Sequence, residues 1–523
     1  MAFNPELFRN TRIQLRPGRM LAAAAICAAV SLTFVAVYRS SGAINPQGLL
    51  GMIFLIQAAV LVIGGCIYCL QSVQREKDQN TFDFQRITRL TPFELATGKV
   101  LGAPVLTYFV VLCLMPLALW AAFVERVGVL TILEMYVVLL LGAVVFHCFA
   151  VLVSMVLQKG TSAGAMFFFL WAIGLTSIDN ANFYGGSLAI HGIGPFWPYN
   201  LVNSSAGFPP TPPPDLPFVN GPTTDLFFGI RVPHVAVLLV LYTTLAAWFL
   251  LALARNIKRD PSVYEIYRPV QAFALALYLN FLVLGFYRWM VGTYNQPQPR
   301  FGGSGTWQFH PVAAQAAEST LLVFSLAIFL FLGMTLLRNR ERARRFLREF
   351  GSSSADWLAA IWPAPYLVAG IALCGVAQMA MIQSKLPNDS QWNLGLGALH
   401  AAFGAAWLAR DFLYLQWMNL RRARRPLIAA CLYWVVFYAC VTVVLSTLHM
   451  FDSASGSIAA IFIPSAGLGV DAASWAARQS QWITSLVLLV VQALAFAWLQ
   501  RRELKRLAAT GSAAALAPEP VAP

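Results

Sequence analysis

Phosphate binding is the first chemistry to consider in this sequence, at the Gly98-Lys99 pair that ends a charged segment. A loop that cradles nucleotide phosphates needs a leading glycine ahead of such a pair and a Ser or Thr directly after it. Phe93 occupies the leading glycine position, and Val100 follows the lysine. The sequence therefore predicts no ATP-binding loop. Any nucleotide that powers this protein would have to bind to another chain.

Two histidines, His147 and His400, fall within long apolar runs, where ionisable side chains are rare and often functional. Each could line a transport pathway or form a hydrogen bond between helices. Cys66 and Cys69 share a helix face, but no companion His or Cys pair completes a metal site. No carboxylate pair, HExxH motif or Ser/His/Asp set indicates catalysis. We therefore expect no enzyme activity, metal or cofactor on this chain.

The composition predicts the class of protein that must position these residues. Hydrophobic residues make up 59% of the chain and charged residues 11%, with a mean hydropathy of +0.65. Apolar runs of about 18 to 25 residues can cross a hydrocarbon core of ~30 Å. We predict an all-α, polytopic helical membrane protein with about twelve transmembrane helices. They are placed at 20–38, 49–71, 100–123, 133–157, 163–180, 233–254, 270–291, 312–337, 358–382, 394–415, 427–449 and 480–499.

The basic residues predict the orientation of these spans. If both termini lie on one side, only seven of the 36 Lys and Arg fall on the other: Arg39, Arg126, Arg231, Arg288, Arg300, Lys385 and Arg478. The Arg-rich side is then cytoplasmic. The net charge of +14 reflects this topology, so nucleic acid is not an expected partner. The basic runs 338–350 and 421–425 are expected to face membrane lipids or a protein partner.

The charged segment 75–99, which we call the elbow, joins the second and third predicted spans and is long enough to fold. Its pattern predicts two short helices. Asn80 is predicted to cap the first, with Asp83 three residues on. Thr91-Pro92-Phe93-Glu94 predicts a capping box at the start of the second, which contributes about 1 kcal/mol. A folded elbow in the cytoplasm indicates a surface that another protein contacts.

The two halves of the chain share a layout of spans and loops. Residues 338–357 repeat the elbow in form, as an amphipathic helix that ends at Gly351. We predict two similar six-helix halves, the first over 1–262 and a second, degenerate one over 263–509. The Ala/Pro-rich tail 510–523 is predicted to be disordered.

The elbow resembles the cytosolic coupling region of ABC-2-type permeases, the membrane subunits of a class of ABC transporters. The family pattern is an acidic residue and Thr, a helix, then Thr-Pro, an acidic residue and Gly-Lys. The matching residues are Glu76, Thr81, Thr91, Pro92, Glu94, Gly98 and Lys99. The lead-in helix of these permeases is similar to Asn4-Pro5 followed by Arg9, Arg12, Gln14 and Arg16. This chain departs from the family at Asn80, where members often have Gly, and its second half lacks the Thr-Pro and Gly-Lys signature.

The resemblance implies that the matching residues contact a separate, dimeric ABC ATPase subunit, which would bind ATP and Mg. It also implies export across the inner membrane, with the substrate unknown and both termini cytoplasmic. Two fused six-span halves would supply the pair of units that such a permease needs. The alternatives are a twelve-span secondary carrier driven by an ion gradient and an integral membrane transferase. The short connection 255–268 between the halves counts against the carrier.

Overall fold

Helices dominate the computed structural model of the protein, as the composition predicts. It describes residues 4–41, 46–124, 127–156, 224–259, 265–285, 321–350, 364–383, 394–421 and 472–516, except for positions 83, 85, 86, 229, 323, 331, 334, 335, 338 and 339. Six helices in this part of the chain are long and apolar enough to cross a membrane: 17–40, 49–78, 105–124, 129–155, 235–256 and 475–509. The chain is therefore an all-α, membrane-embedded protein. The predicted spans 163–180 and 427–449 lie outside the described residues.

The chain divides into two compact units, Met1–Ile266 and Tyr267–Pro523. Helices of the first unit are α1 (Pro5–Gln14), α2 (Pro17–Ser41), α3 (Pro46–Ala58), α4 (Gly65–Asp78), α5 (Pro92–Gly102), α6 (Val105–Val124), α7 (Val129–Val156) and α8 (His234–Asn256). A π-helix over Ala59–Gly64 joins α3 to α4 without a break. The second unit includes α9 (Pro269–Gly285), α10 (Arg340–Phe350), α11 (Ala364–Gln383), α12 (Leu394–Leu420) and α13 (Ala472–Leu516). The described residues within 321–333 are also helical.

The core of the first unit is built around α7. Both α4 and α8 pack against it, while α2 and α3 pack against α6 and α1 packs against α5. In the most apolar stretch of α7, 67% of the residues are buried, compared with 6% in α2. Helix α2 therefore lies at the edge of the unit, where apolar side chains such as Leu21 and Leu32 are exposed as lipid contact requires.

The elbow is joined to a long helix at each end. The second predicted span continues as α4 to Asp78, and α5 is followed by α6 after only two residues. The third predicted span, 100–123, therefore begins inside α5, because the Gly102–Pro104 break falls within the apolar run. A force on the elbow would reach two spans through very little intervening loop.

A short hairpin precedes α8. Strands β1 (Thr224–Phe227) and β2 (Ile230–Pro233) pair antiparallel, with Thr224 opposite Pro233 and Phe227 opposite Ile230. Phe228 in the turn has a positive φ of 49°. The strand ends where Pro233 introduces the first turn of α8.

The second unit is built on α12, which packs between α11 and α13. Its core contains Phe403 from α12 and Trp482 and Leu489 from α13. The amphipathic helix predicted within 338–357 is present as α10. Helix α13 continues through Ala-rich sequence to Leu516, since alanine favours helix strongly.

Candidate functional site

Asn4 is the N-cap residue of helix α1 and also ties this helix to the elbow. The Asn4 Oδ1 atom accepts hydrogen bonds from the backbone N–H groups of Glu6 and Leu7, at 3.1 and 3.2 Å. Its Nδ2 group donates to the Glu94 carbonyl at 2.7 Å and to the Thr97 hydroxyl at 3.2 Å. One side chain therefore caps α1 and fixes its start against the first turns of α5.

The predicted capping box at the start of α5 is confirmed. The Thr91 hydroxyl accepts from the Glu94 N–H at 3.2 Å, and the Glu94 carboxylate accepts from the Thr91 N–H at 2.8 Å. Pro92 occupies the first helical position, where a missing N–H costs nothing. The backbone and side-chain hydrogen bonds from Thr91 hold the pKa of Glu94 below its usual range.

Asn80 ends α4 and does not open the next helix, which corrects the sequence-based prediction. Its φ is +55°, in the left-handed region. Its N–H donates to the Lys77 carbonyl at 3.2 Å, and the Thr81 N–H donates to the Glu76 carbonyl at 2.9 Å. This pair of bonds is the Schellman arrangement, in which the residue after the helix is usually Gly and sometimes Asn.

Four charged side chains meet where α1, α4 and α5 come together, and we call them the charge cluster: Glu6, Arg9, Glu76 and Lys99. Lys99 is fully buried and contacts the Glu76 carboxylate directly, with Glu6 at 3.5 Å. Arg9 lies 2.8 Å from Glu6 and 2.7 Å from Glu76. Each carboxylate thus contacts both cations. This alternation offsets the cost of burying charge, which is several kcal/mol for an isolated ion.

Two glycines let α1 approach α5 closely enough to form this cluster. A Cβ atom at Gly98 would lie 2.7 Å from the Cβ and Cγ atoms of Glu6, and one at Gly102 would lie 2.9 Å from the Asn10 Cβ. Asn10 donates to the Gly98 carbonyl at 3.3 Å and to Glu6 at 3.1 Å. Gly98 is therefore needed for space, and the Gly98-Lys99 pair serves helix packing in this geometry.

The elbow residues predicted from the sequence divide into two groups. Glu76, Gly98 and Lys99 face inward and are brought together in or beside the charge cluster. Thr91, Pro92 and Glu94 lie at the open start of α5, and Thr81 lies at the exposed turn after α4. The inward group joins three helices, whereas the outward group borders solvent.

Three large apolar side chains on the same elbow are exposed, and we call them the apolar edge. The exposed fractions are 69% for Phe84, 78% for Ile87 and 58% for Phe93. The nearby Thr88 carbonyl accepts a hydrogen bond from the Lys258 ammonium group at 2.8 Å, which ties the elbow to the end of α8. Exposed apolar side chains gathered on one segment mark a surface that contacts either another protein or the membrane.

His147 lies away from the elbow, in α7, and is fully buried. Its Nε2 atom is 2.9 Å from the Leu61 carbonyl oxygen, and its Nδ1 atom is 3.1 Å from the Tyr108 hydroxyl. Because a carbonyl can only accept, Nε2 carries the proton and Nδ1 accepts from Tyr108. Leu61 belongs to the π-helix, and Gly65 after it leaves the space for the ring, since a Cβ there would lie 2.1 Å from Nε2.

His400 belongs to the second unit, where it is buried in α12. The elbow site belongs to the first unit. Sequence reasoning missed Glu6 and Asn10 as members of that site. The sequence does indicate that Glu6 lies in the first turn of a helix capped by Asn. The residues around Glu6 do not indicate that this helix packs against α5.

Comparison of this chain with protein-family models, curated proteins and solved structures yields no match.

Proposed function

We propose that this chain is the membrane subunit of an ABC-2-type transporter, driven by a separate ATPase that docks on the elbow. The observation that carries the proposal is the pairing of two features in one segment. The apolar edge offers a surface for a partner, while the charge cluster behind it holds three helices together. In this proposal the chain has twelve spans in two similar six-span halves.

The coupling works through the stiffness of the elbow. ATP and Mg bind to the partner, and closure of the ATPase dimer pushes on the apolar edge. Lys99 links α5 to Glu76 at the end of α4, so the second and third spans move together. The capped ends of α4 and α5 keep the push from unwinding either helix.

The orientation follows from the same proposal. The elbow and both termini lie in the cytoplasm, on the Arg-rich side of the inner membrane, and the substrate moves outward. An ion-coupled carrier would need no apolar edge at this place, since its energy source binds within the membrane. A transferase would need reacting groups gathered at one interface. The exposed apolar side chains of the elbow therefore favour a docked motor.

Co-purification with candidate ATPases tests the proposal. The native chain should retain one ATPase through affinity purification. The triple variant Phe84→Ser, Ile87→Ser and Phe93→Ser should retain at least about tenfold less, because an interface loses its central apolar contacts. The matched control replaces Phe123, Val129 and Leu130 by Ser; these are exposed by 84%, 83% and 69% but lie outside the elbow.

Two outcomes of that experiment would contradict the proposal. One is capture of no ATPase by the native chain. The other is equal capture by the native chain and the elbow variant. A loss shared by the elbow variant and the control would also count against it, since the contact would then not be specific to the elbow.

A further inference from the structure

A small apolar core joins three helices of the second unit close to the end of α13. Ala343 and Leu347 of α10 are buried against Leu420 at the end of α12 and against Leu504 and Leu507 of α13. Because Ala343 and Leu347 are one helical turn apart, they lie on one side of α10. The other sides of this short helix are left for side chains of different character.

The side chains that surround this core are mainly cationic. Helix α10 contains five arginines and two glutamates, and residues 501–506 contain three arginines and one lysine with one glutamate. That glutamate, Glu503, is bound by Arg506 at 2.7 Å. The exposed cations on these two helices include Arg345, Arg348, Arg502 and Lys505, and we call these four the basic patch.

Two tryptophan–arginine pairs indicate the depth of the basic patch relative to the membrane. The guanidinium group of Arg421 lies 4.7 Å from the ring centre of Trp417, and that of Arg502 lies 5.8 Å from the ring centre of Trp498. Tryptophan rings concentrate at the level of the lipid headgroups. Both pairs occur where an apolar helix gives way to basic sequence. The tryptophan positions therefore predict that the basic patch lies at headgroup level.

We propose that the basic patch binds the phosphate groups of anionic phospholipids in the leaflet around the second unit. Arginine offers a planar fork of donors that matches phosphate, and lysine adds a point charge. The cations belong to two helices that the apolar core holds together, so one bound lipid layer would fix α10 against the end of α13. An acidic protein segment would also have the charge to bind the basic patch. The two tryptophan–arginine pairs favour a lipid, because tryptophan rings concentrate at the depth of the lipid headgroups. This inference does not depend on the proposed ATPase.

Native mass spectrometry of the full chain in an uncharged detergent tests the inference. Short-chain phosphatidylglycerol should bind more tightly than phosphatidylcholine of the same chain length. The variant Arg345→Gln, Arg348→Gln and Lys505→Gln should bind phosphatidylglycerol at least about tenfold more weakly, because each basic residue near an anionic surface contributes roughly a fivefold attraction. Glutamine preserves helix propensity, so the fold should be unaffected.

The matched control removes three exposed arginines from the first unit: Arg12→Gln, Arg16→Gln and Arg19→Gln. It changes the net charge equally and should leave the tight phosphatidylglycerol binding in place. Equal binding of the two lipids, or an equal loss in both triple variants, would overturn the inference. Binding of a polyglutamate peptide with no preference between the lipids would also overturn it, in favour of an acidic protein partner.

Discussion

Lys99 is the residue on which the elbow depends most. Its side chain has no exposed surface, yet its ammonium group is placed between the carboxylates of Glu6 and Glu76. A buried ion is stable only when opposite charges and hydrogen bonds replace water. Lys99 therefore joins α5 to both α1 and α4, and no neutral side chain could do so in the same way.

Replacement of Lys99 by Met should destabilise the protein by about 3–5 kcal/mol, because it leaves carboxylates buried with too little positive charge. Thermal unfolding in detergent measures this change. Arg9→Met is the comparison, since Arg9 contacts the same carboxylates but its side chain is 45% exposed. It should cost about 1 kcal/mol or less. An equal effect of the two substitutions would contradict the role of burial.

Gly98→Ala should force α1 away from α5, since the new methyl group would lie 2.7 Å from Glu6. We expect a loss of about 1–3 kcal/mol. Gly18→Ala is the matched control, because nothing lies within 4 Å of a Cβ at that position. Equal stability of the two variants in thermal unfolding would contradict the claim that α1 packs closely against α5 at Gly98.

Glu94 should make the start of α5 sensitive to acid. Its pKa is lowered in the folded state by the hydrogen bonds from Thr91, so its stabilising effect is present at neutral pH. The effect is lost as the pH falls through that lowered pKa, below the ordinary value of about 4.3. The difference in melting temperature between the native chain and Glu94→Gln should shrink over this acidic range. A constant difference would count against the capping role.

At the scale of elements, the elbow consists of the end of α4, a connection in which Phe82 and Phe84 are helical, and the start of α5. Its two termini are built in different ways. Helix α4 ends at Asn80 with a left-handed residue, whereas α5 begins with the Thr91 and Glu94 capping box. Both arrangements satisfy backbone groups that would otherwise lack partners at a helix end.

The conformation of Asn80 can be tested by comparing two small substitutions. Asn80→Gly should be tolerated, because glycine adopts positive φ without strain, while Asn80→Ser should cost about 1 kcal/mol. If Asn80 instead capped the following helix, Ser would be the better replacement. Thermal unfolding of the two variants decides between these readings, and a more stable Ser variant would contradict the left-handed geometry.

The sequence was sufficient for the helical class, for the capping box and for the position of the elbow, because these depend on local patterns. It could not show that Lys99 is buried. That depends on Glu6, which is distant in the chain and reaches α5 only through the close contact at Gly98. Asn80 was misread because a residue between two predicted helices can end one or begin the other. The φ angle of Asn80 distinguishes these two roles, and the residue type alone does not determine that angle.

At the scale of the whole molecule, the two units expose different kinds of surface. The first carries the apolar edge on the elbow, whereas α10 of the second, which the sequence predicts to be the counterpart of the elbow, is strongly basic. We propose that the first unit provides the main contact with the ATPase and that α10 is held at the lipid headgroups. The two contacts with a motor would then be unequal.

The most direct test of the central proposal is cross-linking from the apolar edge in cells that co-express a candidate ATPase. Phe93→Cys, treated with a reagent that joins a thiol to an amine, should form an adduct with the ATPase. Phe123→Cys is equally suited as a control, since Phe123 is exposed by 84% but lies at the end of α6. The adduct is expected at position 93 and not at position 123. No adduct at position 93, or equal yields at both positions, would contradict it.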